Sequence, residues 1–189
     1  VSAPGSRSII VRDENGGEIP SQVMVLNTYS DGSLRDIKIA FIAKDIPSIG
    51  YKIYTISPSP SAPNSYPSSI EIISSGQRLT CENSYYTFTL DADKGWGMMS
   101  LIDRLTNKEL IGANGVGNDI LVYKDSGNAW GIDRGLDLFT RTSNVVGSID
   151  DIVIEEGPVM AGIRITTGGA VRSYIIYNEL PRIDFETTV

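Results

Sequence analysis

The sequence predicts an all-β protein: an antiparallel β-sandwich preceded by a small β-domain. Short runs in which apolar and polar residues alternate recur along the chain, and this period of two is typical of half-buried strands. Segments rich in Gly, Asn, Asp and Ser separate the runs, as turns between antiparallel strands require. The helical period is far rarer. Only "DRLTNKELIGA" at 103–113 could form a helical turn, and a strand followed by a turn fits it equally well.

The clearest strand is "YYTFTL" at 85–90, where alternation places Tyr86, Phe88 and Leu90 on one face. The other predicted strands are, in chain order, "IIVR", "SQVMVL", "IKIAFIA", "YKIYTI", "IEIIS", "MSLID", "DILVY", "DIVIE", "AGIRIT", "RSYIIY" and "RIDFETTV". Turn signals between them include "ENGGE", "SDGS", "DADKG", "GNA" and "TTGGA". Many short strands with frequent turns favour a sandwich over a barrel.

Residues 58–68, "PSPSAPNSYPS", interrupt this pattern with four prolines and four serines. Proline removes the N–H groups that a sheet needs, and such a composition is typical of an extended linker. We therefore expect a small β-domain at 1–57, a linker at 58–68 and the start of a large β-sandwich domain at 69–189. A long proline-rich loop within one sandwich is the alternative.

Composition excludes several classes of partner. The net charge is −7 and the isoelectric point about 4.6, which repels phosphate backbones, and the 16 Lys and Arg residues are scattered. No apolar run approaches the roughly 20 residues that a membrane span needs. We therefore expect neither nucleic acid nor a membrane as a partner.

The first residues resemble no secretion signal. The chain starts at Val1 in a polar stretch, and no Asn-x-Ser/Thr acceptor for N-glycosylation occurs anywhere in it. We therefore expect a segment cut from a longer, cytoplasmic protein. Cys81 is the single cysteine, so no intramolecular disulfide can form, and it is expected to act as a small buried hydrophobe.

The sequence contains no histidine. A Ser-His-Asp or Cys-His arrangement is therefore impossible, and one cysteine cannot assemble a zinc site of the usual kind. Catalysis by carboxylates alone, which glycosidases use, stays open.

One of the two tryptophans lies in a predicted loop, "KDSGNAWGID" at 124–133. Tryptophan usually packs in a core or anchors a contact. Here Trp130 stands among Gly, Ser, Asn and Asp, with Asp125 and Asp133 nearby. An aromatic face beside carboxylates is suited to sugars, because it offers a surface for C–H groups and acceptors for hydroxyls.

Six blocks in series, spread over nearly the whole chain, resemble the β-rich C-terminal part of glycoside hydrolase family 38, the α-mannosidases. "DIPSIGYKIY" and "NSYYTFTLD", the latter followed by "SLID", are the most specific parts. The blocks are "IPSQV" at 19–23, "IAFIAKDIPSIGYKIYTI" at 39–56, "ENSYYTFTLDADKGWGMMSLIDRLTNKELI" at 82–111, "NDILVYKDSGNAWGID" at 118–133, "IEEGPVMAGIRI" at 154–165 and "LPRIDFETTV" at 180–189.

The resemblance implies that the sandwich is part of a galactose-mutarotase-like super-sandwich. In this family the zinc ion and the aspartate nucleophile belong to an N-terminal α/β barrel, so this segment is expected to be non-catalytic and to hold no cofactor of its own. Its expected partners are the catalytic barrel of the same polypeptide and, through the parent enzyme, a mannoside. The chain departs from the family at Gly131, since the loop more often reads Trp-Asp-x-Asp.

Two interpretations of Trp130 follow from the resemblance. With Asp133 and Asp125 it forms a lip of the sugar site, or it fills the gap between domains and contacts no sugar. Two further functions stay open for the chain: an autonomous carbohydrate-binding, lectin-like sandwich, and a self-sufficient carboxylate glycosidase.

Other charged and aromatic residues are expected to be structural. Arg182, Asp184 and Glu186 share one face of a strand and favour ion pairing. "DADKG" lacks the later glutamate of a calcium loop and predicts a hairpin turn that Trp96 anchors to the sandwich. The last strand, "RIDFETTV", has no partner after it in the sequence, so we expect an open edge that supports small homo-oligomers.

Overall fold

The computed structural model describes residues 1–61, 64–124, 140–144, 149–167 and 169–189. In these residues every regular element is an antiparallel strand except a three-residue 3-10 turn at Ala92–Lys94. The predicted all-β, antiparallel fold class is thereby confirmed. No helix in the described ranges is long and apolar enough to cross a membrane.

The chain forms two compact units. The first comprises Val1–Ser69 and Glu156–Ala161, and the second comprises Ile70–Glu155 and Gly162–Val189. The predicted domain bounds at 57 and 69 stay a prediction.

The first unit contains strands β1 (Ser8–Arg12), β2 (Ser21–Thr28), β3 (Leu34–Phe41) and β4 (Thr55–Ser59). β1 pairs with β4 and β2 with β3, both antiparallel. The β2–β3 connection is the predicted "SDGS" turn, where Gly32 adopts the left-handed φ of 80° and the Asp31 carboxylate accepts from the Ser33 backbone N–H at 2.8 Å. The apolar sides of these strands enclose a small core of Ala3, Ile9, Leu34 and Ile37, with Val23 and Ile39 packed against it.

The bounds of strand β4 differ from those that the sequence predicts. The alternation in "YKIYTI" predicts a strand at 51–56, but the strand begins at Thr55 and extends to Ser59. Tyr51 and Ile53 are exposed, so the residues that produce the alternation do not face a core. Pro58 pairs with Ile9 of β1, and its missing N–H is tolerated because a strand in a two-stranded sheet has one open edge.

Limited proteolysis tests the domain bounds. The first cut is expected within the predicted linker 58–68, beyond the end of β4, because proline- and serine-rich connectors usually yield before paired strands. Mass spectrometry of the earliest fragments gives the position. An earliest cut within 85–91 would contradict the predicted boundary.

In the described part of the second unit, five strands form an antiparallel meander: β5 (Glu71–Ser75), β6 (Arg78–Glu82), β7 (Tyr86–Asp91), β8 (Gly97–Asp103) and β9 (Lys108–Glu109). The predicted faces of β7 are confirmed, since Phe88 and Leu90 are buried and Tyr86 is half-buried. Between β8 and β9 the chain makes a turn with Asn107 in the left-handed region. The segment 103–113 is therefore a strand followed by a turn and not a helical turn.

The remaining described strands are β10 (Leu121–Lys124), β11 (Thr140–Asn144), β12 (Ile149–Glu155), β13 (Met160–Thr167), β14 (Ala170–Tyr177) and β15 (Ile183–Thr188). β10 pairs with β11, and β12 to β15 form a second meander in chain order. Among the described strands β15 stands last in this sheet and pairs with β14, and the predicted open edge stays a prediction.

The two meanders of the second unit pack face to face. The ring of Phe88 on β7 lies 6.2 Å, centroid to centroid, from the ring of Tyr174 on β14. The side-chain amide of Asn83, between β6 and β7, donates to the carbonyl of Tyr177 at 2.7 Å. These contacts join the two sheets into a β-sandwich, as the sequence predicts.

Candidate functional site

The predicted sugar-site residues Asp125, Trp130 and Asp133 lie outside the described residues. Their grouping and their role therefore stay predictions. The described chain does define a polar cluster in the second unit, and this cluster was not predicted.

The cluster is centred on Arg172, which stands on the inward face of β14. On this strand Ala170, Arg172, Tyr174 and Ile176 are buried while the residues between them are half-buried. Arg172 is 1% exposed, which is rare for a charged side chain. The sequence shows Arg172 within an apolar strand, but apolar residues on both faces of that strand leave the buried face undecided.

Backbone carbonyls hold the Arg172 guanidinium. Nη2 donates to the carbonyl of Gly95, and Nη1 donates to the carbonyl of Asn118 at 3.3 Å. These carbonyls are neutral acceptors, and the Arg172 side chain also interacts with the Tyr174 hydroxyl. The negative charge of Asp119 acts on the same phenol.

The segment before Asn118 is fixed against β8. Met98 and Gly117 exchange two backbone hydrogen bonds, each 2.8 Å long. A Cβ at Gly97 would lie 2.2 Å from the Cγ1 atom of Val116, so only glycine permits this approach. The close contact places Asn118, with its left-handed φ of 54°, beside the β7–β8 turn.

Tyr174 completes the cluster. Its hydroxyl donates to the carbonyl of Trp96 at 2.8 Å, and burial raises the pKa of this phenol, although the positive charge of Arg172 opposes the rise. At the outer end the exposed Thr187 donates its hydroxyl to Oδ1 of Asn118 at 3.2 Å. The cluster thus extends from the core of the sandwich to its surface.

Among the described residues, the indole Nε1 of Trp96 and the Nε of Arg172 are buried without a hydrogen-bond acceptor. The side chains of Asn118 and Arg172 both interact with the Tyr174 hydroxyl, so this phenol is the polar centre of the cluster.

Comparison with known protein families identifies the domain that contains the polar cluster. The model of the "Glycosyl hydrolases family 38 C-terminal domain" matches residues 81–189, which is more than half of the chain. The chain belongs to glycosyl hydrolase family 38. This confirms the resemblance found in the sequence. No match was found among curated proteins.

Every residue of the polar cluster lies inside the matched family 38 domain. This C-terminal domain is not the catalytic zinc site of the family. In the part of the chain that the structure describes, no three His, Cys, Asp or Glu side chains are grouped so that they could hold a metal ion.

A second polar network of the family 38 domain lies between β14 and β15. Arg182 Nε and Asp184 Oδ1 form an ion pair at 2.6 Å, and the Tyr177 hydroxyl donates to the other oxygen of Asp184 at 2.7 Å. The bond from Arg182 holds the pKa of Asp184 below its ordinary value. The predicted structural ion pair on this strand is therefore confirmed for Arg182 and Asp184.

The "DADKG" segment of the family 38 domain is the predicted hairpin turn. Asp91 accepts from the backbone N–H of Asp93 at 2.9 Å, and Gly95 and Trp96 both adopt left-handed backbone angles. Trp96 is buried, as expected for an anchor of the turn. Cys81 is also buried, as predicted.

Asp91 makes the stability of this domain sensitive to acid. Burial favours its protonated form, but the Arg78 guanidinium, 2.8 Å away, and the Asp93 N–H outweigh burial and lower its pKa. A lowered folded-state pKa stabilises the protein above the unfolded-state value of about 3.9, and this contribution is lost as the pH falls through the folded-state pKa.

The variant Asp91→Asn is therefore expected to lose about 1.5–3 kcal/mol of unfolding free energy near neutral pH, since hydrogen bonds to charged groups contribute in this range. Its difference from the wild type should shrink below a pH of about 4. Urea unfolding over a pH series measures this. Asp36→Asn, at a half-exposed carboxylate, is the control, and a difference that does not change with pH would contradict the assignment.

Proposed function

We propose that this chain is a non-catalytic C-terminal β-sandwich segment of an α-mannosidase, packs on the catalytic barrel of the same polypeptide and helps to complete its sugar site. The family match over residues 81–189 carries the proposal. The lack of histidine supports it, because the histidine ligands of the zinc ion must then come from another part of the polypeptide.

Exposed apolar side chains of the first unit support contact with another domain. Four large apolar side chains of one short segment are more than half exposed: Ile46, Ile49, Tyr51 and Ile53. Ile49 also has a φ of 56°, a conformation that β-branched residues rarely adopt. A concentration of exposed apolar side chains is typical of a surface that another protein surface covers.

In the proposed enzyme the loop at 124–133 contributes to mannoside binding. The indole of Trp130 offers a face to sugar C–H groups, and the carboxylates of Asp125 and Asp133 accept from sugar hydroxyls. Zinc belongs to the barrel. We also propose that the parent enzyme is cytoplasmic.

The isolated chain is expected neither to hydrolyse an aryl α-mannoside nor to bind zinc stoichiometrically, and titration with mannose-containing glycans should give no saturable binding. Turnover that survives purification and is lost in Asp133→Asn would instead identify a self-sufficient carboxylate glycosidase. Saturable glycan binding would identify a lectin-like module. The coding sequence upstream of Val1 should encode an α/β barrel with Asp and His zinc ligands, and an unrelated upstream region would overturn the proposal.

In the full-length polypeptide, Trp130→Ala is expected to raise KM for an α-mannoside about fivefold, since an aromatic contact contributes on the order of 1 kcal/mol. Leu105→Ala, at an exposed turn position of the same unit, is the control. An unchanged KM in Trp130→Ala together with a lower melting temperature would favour the alternative in which this tryptophan fills a gap between domains.

A further inference from the structure

The sequence contains Asn-Gly at two places, 15–16 and 114–115, and both asparagines are exposed. Asparagine is a thermolabile residue, because the backbone nitrogen of the next residue can attack its side-chain amide. Glycine favours this attack, since it has no side chain to obstruct the approach. We propose that Asn114 is a site of spontaneous deamidation and that the acidic residues around Asn15 protect the second site. Neither the reaction nor its site depends on the mannosidase assignment.

Deamidation of Asn114 consumes water alone. The backbone nitrogen of Gly115 gives its proton to solvent and forms a bond to Cγ of Asn114, while the bond from Cγ to Nδ2 breaks and Nδ2 leaves as ammonia. Water then hydrolyses the cyclic imide at one of its two carbonyl carbons. One product is aspartate, and the other is isoaspartate, in which the main chain is longer by a methylene group. No oxidant or reductant takes part.

The two asparagines occupy equivalent positions in their turns. The N–H of Gly16 donates to the Asp13 carbonyl at 3.0 Å, and the N–H of Gly115 donates to the Gly112 carbonyl at 2.7 Å. Each bond closes a four-residue turn whose third residue is the asparagine. Backbone hydrogen bonds in exposed turns open at little cost in free energy. Both glycine nitrogens can therefore be released for the attack, and the neighbouring charges decide between the two sites.

Negative charge surrounds the turn of Asn15. The Asp13 carboxylate accepts from the backbone N–H groups of Asn15 and Gly17, both at 2.9 Å. These two amides flank the nitrogen of Gly16, and Glu14 is the second residue of the same turn. The attack requires this nitrogen to lose its proton, and a like charge disfavours the anion that forms. A unit charge about 4 Å away does so about fivefold even in water.

The turn around Asn114 is uncharged. It consists of Gly112, Ala113, Asn114 and Gly115. No residue of this turn therefore opposes the loss of the Gly115 proton by its charge. The Asp13 carboxylate, in contrast, also adds two side-chain hydrogen bonds to the first turn, which makes that turn harder to open. We expect Asn114 to convert about fivefold faster than Asn15.

Isoaspartate at 114 changes the path of the chain just before a tightly packed segment. Gly117 exchanges two backbone hydrogen bonds with Met98, and the Asn118 carbonyl accepts from Arg172. The extra methylene displaces this segment, and the loss of one such hydrogen bond lowers the melting temperature of a protein of this size by about 2–4 °C. Aspartate leaves the main chain unchanged and should not have this effect.

The test is peptide mapping of the full chain during incubation at mildly alkaline pH. Trypsin releases Asn15 in the peptide 13–35 and Asn114 in the peptide 109–124, so tandem mass spectrometry follows the two sites separately. Methylation by an isoaspartyl methyltransferase detects the isoaspartate product. Asn107 is the internal control, because it is also exposed and in a turn but precedes a lysine, and it should stay intact.

Variants that change one charge test the reason for the preference. Asp13→Asn keeps an acceptor oxygen for the turn but removes the charge, and it should accelerate conversion of Asn15 about fivefold. Ala113→Asp adds a carboxylate to the other turn and should slow conversion of Asn114 by a similar factor. Asn114→Gln should abolish the fall in melting temperature on incubation, since the longer side chain forms the cyclic imide far more slowly.

Two results would overturn the proposal. One is a wild type in which Asn114 stays intact or converts no faster than Asn15. The other is an unchanged rate at Asn15 in Asp13→Asn together with an unchanged rate at Asn114 in Ala113→Asp, because charge would then not select between the two turns.

Discussion

Phe88→Ala is expected to lower the free energy of unfolding of the second unit by about 3–5 kcal/mol, the usual cost of removing a fully buried aromatic ring. Phe88 is completely buried on β7 and faces Tyr174 of the opposite sheet across 6.2 Å. Deleting the ring leaves a cavity between the two sheets, where neither meander can move without disturbing its own hydrogen bonds.

Urea unfolding followed by tryptophan fluorescence measures this loss, because Trp96 lies in the same unit. Leu105→Ala removes an apolar side chain that is 74% exposed and should change the free energy by less than about 0.5 kcal/mol. If Phe88→Ala cost as little as this control, the ring would not lie in a packed core and the sandwich assignment would need revision.

Asn83→Ala is expected to lower the free energy of unfolding by about 3 kcal/mol. The loss comes from broken hydrogen bonds and not from the removed side-chain volume. The Asn83 side chain is 1% exposed. It accepts from the backbone N–H groups of Tyr85 and Tyr86, both at 2.8 Å, and donates to the Tyr177 carbonyl at 2.7 Å. Alanine leaves three backbone groups without this partner, and an unsatisfied buried group costs about 1–3 kcal/mol.

The control for this variant is Asn114→Ala, which makes the same substitution at an exposed position of the same unit. Its unfolding free energy should stay within about 0.5 kcal/mol of the wild type. Hydrogen exchange gives a second measurement: the amides of Tyr85 and Tyr86 should lose protection in Asn83→Ala. Unchanged protection would mean that other acceptors hold this turn.

The sequence predicts β7 correctly, because apolar and polar residues alternate over its six positions and such alternation specifies a half-buried strand. β6 was not predicted, since "RLTCE" offers only Leu79 and Cys81 as apolar positions. Both are buried, and the strand is held by its two neighbours in the sheet, which lie outside any local pattern.

The polar cluster could be predicted only in part. Arg172 at the start of "RSYIIY" is visible in the sequence, but both faces of this strand carry apolar residues, so the pattern does not decide which face is buried. Its acceptors, the carbonyls of Gly95 and Asn118, are 77 and 54 residues away along the chain. Contacts over such separations depend on tertiary structure, which no local periodicity encodes.

The meander order of the two sheets has a consequence for the path of folding. Each ladder joins strands that are neighbours in sequence, so each can form by closing a short loop. The bond from Asn83 to Tyr177 instead closes a loop of 94 residues. We therefore expect the finished meanders to dock late in folding, and Phe88→Ala, which removes a ring contact between the two sheets, should mainly accelerate unfolding while leaving the folding rate almost unchanged.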